Sequence, residues 1–237
     1  MNIITLTAAL LPAILLLIYV WKRDPQPEPT SWLTKAVLSG IAICIPATII
    51  ELGIEVMLFG MGGQPSSLAD TTAMAFFVAA LPEESLKLLV LWLILRKNPF
   101  FDEHFDGIVY AVCIGLGFAA IENVMYLFNE EEWLYTAITR ALLAVPSHYI
   151  FAILMGYYYS IYHFVNHSPK IAVCILLVPV VAHGFYDALA LSGLVDHHIG
   201  SVCFFVLIFL CIKMHKVARN KILALVEKDH GDNASVS

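Results

Sequence analysis

Charge is what this sequence has least of. Only 14% of its 237 residues are Asp, Glu, Lys or Arg and 60% are hydrophobic, against about 25% charged in soluble domains. That balance excludes a soluble globular domain and makes the chain a polytopic membrane protein. The five cysteines, Cys44, Cys113, Cys174, Cys203 and Cys211, form no CxxC and stand at no zinc-like spacing from a histidine. They read as small packing residues, which excludes a disulfide framework or a zinc knuckle. HExxH is absent as well, so the sequence supports hydrolysis better than it supports a metal. No internal repeat is evident, which weakens a transporter built on inverted repeats. The formal charge of −6 says little about partners in such a chain, and no nucleic-acid partner is expected. The first apolar run lacks a basic leader and a small-x-small cleavage site and is followed at once by Lys22 and Arg23. It reads as a membrane helix and not as a signal peptide.

What is present is hydrophobic length. Seven apolar spans are expected, at 3–21, 36–59, 69–95, 107–128, 135–161, 171–193 and 199–215. The predicted fold is an all-α polytopic membrane helix bundle, one domain over 1–226, with a disordered cytoplasmic tail at 227–237. Lys22, Arg23, Lys35, Arg96, Lys97, Lys170, Lys213, Lys216, Arg219 and Lys221 all fall in connections on one side of such a bundle, whereas loops 60–68, 129–134 and 194–199 hold no Lys or Arg. The positive-inside rule then places the N-terminus outside and the C-terminus in the cytoplasm. Asp24 to Pro29 is a proline-rich polar linker. Phe100 to Asp106 alternates aromatics with acids and reads as a loop at the headgroup surface, with a ligand site as the alternative.

Ionisable groups inside the spans are few and costly, about 2.5 to 3.5 kcal/mol each on insertion scales, so they face a protein interior or a wet cavity. The third span carries Glu83, Glu84 and Lys87; the fourth Glu122 and Asn123; the fifth Pro146 and His148; the sixth Pro179, His183 and Asp187. Glu83 and Lys87 are four apart and can pair, while Glu84 is turned about 100° away and is expected to have no local partner. His183 and Asp187 share a helix face by the same spacing. At 1.5 Å per residue from the outer membrane surface, Glu84 lies about 20 Å deep, His148 about 18 Å, His183 about 15 Å and Glu122 about 10 Å. Four helices thus bring acids and imidazoles into one slab. Such a set serves metal-assisted hydrolysis, with Zn²⁺ held by His148, His183 and Glu122, or a metal-free reaction in which a buried glutamate activates water. A proton-coupled transporter and a scaffold that binds membrane helices without cutting them are the competing readings.

Taken in order, Glu83-Glu84-Ser85-Leu86-Lys87 resembles the EExxK element of the PrsW family of bacterial intramembrane proteases. Phe118 to Asn123 resembles its FxxxEN element and His183 to Asp187 its HxxxD element. The related CAAX-prenyl endopeptidases and bacteriocin-processing proteases carry EExxxR and FxxxH instead; Lys87 is one residue nearer than their arginine, and Glu122 replaces their histidine. The resemblance implies that Glu83, Glu84 and His183 are essential, with Glu122, His148 and Asp187 as further site members and Lys87 and Asn123 in support. It also implies a multi-pass protein of the bacterial plasma membrane that cleaves single-span membrane-anchored substrates, such as anti-sigma factors. On this reading Glu84 acts on water, while Glu83 with Lys87 orders the site.

Overall fold

A computed structural model describes every residue except Met1, Pro25, Asn129 and Ser237, with side chains described as far as Asp229. Six helices long and apolar enough to cross a membrane, and a continuous helical run at 68–95 in the place of the third span, form among the described residues in the expected order. They are α1 (Ile3–Trp21), α2 (Thr30–Phe59), α3 (68–95), α4 (Asp106–Leu127), α5 (Trp133–Val165), α6 (Pro169–Leu191) and α7 (His197–Val236). The spans read from hydropathy are therefore confirmed, with two extensions. The 30 residues of α2 start six positions early, straight after Pro29, and α7 runs for 40 residues, about 60 Å, far beyond the membrane thickness.

The bundle is organised around α4. Nearly all of it from Asp106 to Ala119 is buried, and it touches α1, α2, α3 and α5. Small residues make this closeness possible. A Cβ at Gly117 would stand 2.3 Å from the carbonyl oxygen of Val37 on α2, and one at Gly156 of α5 would stand 2.3 Å from the carbonyl oxygen of Gly107. Backbones in contact gain dispersion energy that lipid tails cannot displace. The outer surfaces of α2 and α7 are apolar instead, with Ile45, Ile49, Met57, Phe205 and Phe209 exposed, as a lipid-facing wall requires.

Two helices carry a shared irregularity. In α3 the segment Met74–Ala80 is π-helical, and in α5 so is Arg140–Ala144; each lies immediately ahead of a proline-bearing α segment, at Pro82 and at Pro146. Leu81 donates its N–H to Phe76 and Val145 donates to Arg140, five residues back. A proline removes one N–H and crowds the carbonyl four residues earlier. The five-back bonds carry the hydrogen-bonded ladder up to the residue before each proline, so the rod continues through the membrane.

At the end of the bundle that holds the basic connections, the structure departs from expectation. The acids of the 100–106 loop do not lie out on the headgroup surface: Glu103 and Asp106 are buried, and Phe105 is fully enclosed. The reason is local. Asp106 accepts from the backbone N–H groups of Asp102 (3.1 Å) and Glu103 (2.8 Å), folding the loop onto the start of α4. Most of the stretch expected as a disordered tail lies outside the fully described residues, but Asp229 is helical and buried. Its carboxylate accepts from the N–H groups of His104 at 2.8 Å and Phe105 at 2.9 Å. Glu28 of the proline linker likewise accepts from the Tyr110 hydroxyl.

The close approach of α2 and α4 gives a direct test. Gly117→Leu is expected to destabilise the protein by about 1–3 kcal/mol through overpacking, read as a lower thermal midpoint in detergent. Gly53→Ala, where a Cβ meets nothing within 4 Å, should leave the midpoint unchanged or raise it.

Candidate active site

Beyond Pro82, the α segment Leu81–Leu95 presents Glu83, Glu84 and Lys87 on neighbouring turns, all buried. The Lys87 ammonium stands 2.9 Å from Glu83 Oε2, 2.8 Å from Glu84 Oε1 and 3.3 Å from His148 Nδ1, with the Phe118 ring 4.3 Å from it. An ammonium has three protons and no lone pair, so it donates to all three groups. His148 Nδ1 is then an acceptor, which puts the ring proton on Nε2, 2.9 Å from Glu122 Oε2. The expectation that Glu84 lacks a local partner is corrected here. A residue at i+3 is as near as one at i+4 on a helix, and the long lysine side chain reaches both carboxylates.

From α6, His183 closes the network. Its Nδ1 lies 3.0 Å from Glu84 Oε1 and its Nε2 lies 3.2 Å from Asp187 Oδ2, so the predicted shared face is real. The ring stacks on Phe151 at 4.7 Å and 19°, which fixes its plane. On the far side, Glu122 Oε2 takes a second partner, Arg140 Nη2 at 2.9 Å, and Arg140 Nε donates to Asn123. Asn123 donates to the carbonyl of Ala9 at 2.9 Å, tying α1 into the same chain of contacts. All eight residues expected at the site are thus joined, from four helices, in one hydrogen-bonded array.

The array borders a cavity of about 670 Å³. Glu83, Glu122, His148, His183 and Asp187 line it; Glu84 and Lys87 do not. Glu84 is 0% exposed, and its Oε2 has no partner. Of the two adjacent glutamates, the one with access to water in the cavity is Glu83.

Three lining residues were missed by sequence reasoning. Arg140 sits inside the fifth span, where an arginine is as costly as any acid, and it should have been counted for that reason alone. Glu51, from α2, lines the same cavity with a buried Oε1 that has no partner, and it too was visible as an acid within an apolar run. Cys44 lines the cavity as well, although all five cysteines are free.

Within the membrane, the described residues whose ligand atoms all lie within 4.8 Å of one another are Glu83, Glu84 and His148, in place of the expected His148, His183 and Glu122. Carboxylate and imidazole donors suit zinc. Yet the centre of that trio already holds a cation, the Lys87 ammonium, bonded to all three donors. A metal at ligand distance from the same atoms would stand within about 3 Å of that ammonium, where two positive charges repel strongly in a low-dielectric site. The trio does not fit a metal while Lys87 stays in place.

Residues 28–212 match the family described as PrsW family intramembrane metalloprotease. Among similar curated proteins, each named Protease PrsW, that of Geobacillus kaustophilus is 35% identical over 190 residues, covering 79% of this chain and 80% of that one. That of Clostridioides difficile is 35% identical over 185 residues, 76% of each chain. That of Bacillus subtilis is 32% identical over 189 residues, 77% and 80% respectively. No solved structure matches.

Lys87 is the natural point of attack. Lys87→Met is expected to cost about 3–5 kcal/mol, because it leaves two carboxylates buried without their counter-ion. Adding Glu84→Gln should recover part of that loss, as measured by denaturant unfolding in detergent. Strictly additive losses in the double variant would mean that the pair is not coupled.

Proposed function

The chain belongs to the PrsW family, making it a multi-pass bacterial membrane peptidase, and from that premise we propose that it hydrolyses a peptide bond of a single-span membrane protein with water activated by Glu83. The observation that carries this is the shared cavity: five helices deliver ionisable groups to one space, and Glu83 is the carboxylate that both is held by Lys87 and lines that space. The transporter and scaffold readings fall with the family assignment.

In the proposed reaction, water in the cavity approaches the substrate carbonyl carbon while the Glu83 carboxylate takes one of its protons. The tetrahedral oxyanion needs a fixed donor. Arg140 has five N–H groups, of which the Nε and Nη2 groups are engaged with Asn123 and Glu122, and it lines the cavity. It is assigned to that oxyanion. Collapse of the intermediate breaks the C–N bond, and the proton held by Glu83 passes to the leaving amine. Glu84 has a different part from the one expected of it. Lying behind the cavity wall, it positions Lys87 and His183, and Asp187 holds His183 from its other nitrogen.

The location of the site supports this substrate class. A cavity bordered by membrane helices reaches a bond in or near a membrane-embedded segment, and anti-sigma factors are the single-span substrates that the family resemblance brings forward. No step passes through a metal, because Lys87 holds the position that a metal would take.

The test uses purified protein in proteoliposomes with a labelled single-span substrate. Glu83→Gln should lower kcat by about 10²–10⁴-fold, the usual worth of a general base, and Arg140→Gln by about 10²–10³-fold. Glu83→Gln turning over within threefold of wild type would move the base elsewhere. A zinc chelator such as 1,10-phenanthroline is expected to leave the rate unchanged, and full inhibition reversed by added zinc would overturn the role given to Lys87.

A further inference from the structure

A second set of buried carboxylates lies far from the peptidase cavity. Asp106 opens α4 and Glu122 lies 16 residues along it, about 24 Å away at the rise of an α-helix. Around Asp106 the linker 22–29 and the loop 96–105 come together. Asp24, Glu103 and Asp106, all buried, present one carboxylate oxygen each within 4.8 Å of one another.

The polar partners at this place can be followed one by one. Asp24 accepts from the N–H of Gln26 at 3.1 Å and from that of Glu28 at 3.4 Å. Glu103 Oε1 accepts from the Gln26 side chain. Asp106 Oδ2 accepts the two loop N–H groups described above. Its Oδ1 is enclosed with no partner, on a residue that is 0% exposed. Asp24, Glu28 and Asp106 form no ion pair with a lysine or arginine among the described residues.

We infer that a hard divalent cation, of the Mg²⁺, Mn²⁺ or Ca²⁺ class, binds between Asp24, Glu103 and Asp106, using the unpartnered Asp106 Oδ1 as one of its ligands. The cluster offers only oxygen donors, which select this class over zinc or copper. Three ligands from two loops and a helix start leave the remaining coordination positions to water. Bound there, the ion clips the α1–α2 linker and the α3–α4 loop to the first turn of the central helix. By the distribution of basic loops this end faces the cytoplasm, the side on which such ions would be supplied.

The experiment uses the full chain in detergent, stripped with EDTA and titrated with Mn²⁺ while the free-ion paramagnetic resonance signal is followed. One Mn²⁺ per chain should be taken up, and excess Mg²⁺ or Ca²⁺ should displace it. Asp24→Asn and Asp106→Asn should each weaken uptake by at least about tenfold, as loss of a charged ligand does. Glu83→Gln should leave uptake intact, since it alters only the peptidase cavity. Wild-type protein that leaves all the Mn²⁺ free overturns the inference, as does uptake that survives both cluster variants or vanishes with Glu83→Gln. Should Asp106→Asn not fold, the wild-type titration and Asp24→Asn decide between these outcomes.

Discussion

One ammonium group holds the membrane-embedded site together. Lys87 donates to Glu83, Glu84 and His148 at once, and through them to His183, Glu122, Asp187 and Arg140. Two adjacent carboxylates on one helix would otherwise repel each other in a medium where charge is poorly screened. With the ammonium between them they become a rigid fixture, since each hydrogen bond restricts a side chain already confined by neighbours such as Phe118 and Phe151. That rigidity is what an active site needs, because donors placed in advance cost no reorganisation when charge develops.

The backbone makes room for this network in the same way twice. Glu83 follows Pro82 by one residue and His148 follows Pro146 by two, and each proline is preceded by a π-helical turn. π turns inside α-helices are energetically poor and concentrate where function requires an altered side-chain direction. Here each stands directly ahead of a proline-bearing segment, so continuity of the rod and direction of the polar residue are decided at one place.

Much of this was legible in the amino-acid order. Hydropathy located the helices, and the cost of ionisable groups in lipid singled out Glu83, Glu84, Glu122, His148, His183 and Asp187 as residues that must find one another. Less legible was the division of labour between Glu83 and Glu84. Helical spacing says that they diverge by about 100°, but only the packing of α3 against its neighbours says which side is wet. Arg140 and Glu51 went uncounted for a different reason: neither belongs to a short motif of adjacent polar residues, and only the packing of α2 and α5 around the cavity brings them to the others. The loop acids Glu103 and Asp106 were misjudged because nothing local in a short loop says whether it folds inward, and the helix start that draws them in is a tertiary partner.

The π turns of α3 and α5 have one more consequence. Each holds one residue more than an α-turn would, so it acts as slack in the chain. Loss of one residue within 74–80 or 140–144 can be absorbed by tightening that turn, which leaves Glu83 or His148 in register with the portion of helix before it. Length variation ahead of the catalytic layer is thereby decoupled from the chemistry, and the lipid-facing halves of these two helices are free to diverge while the inner halves stay aligned.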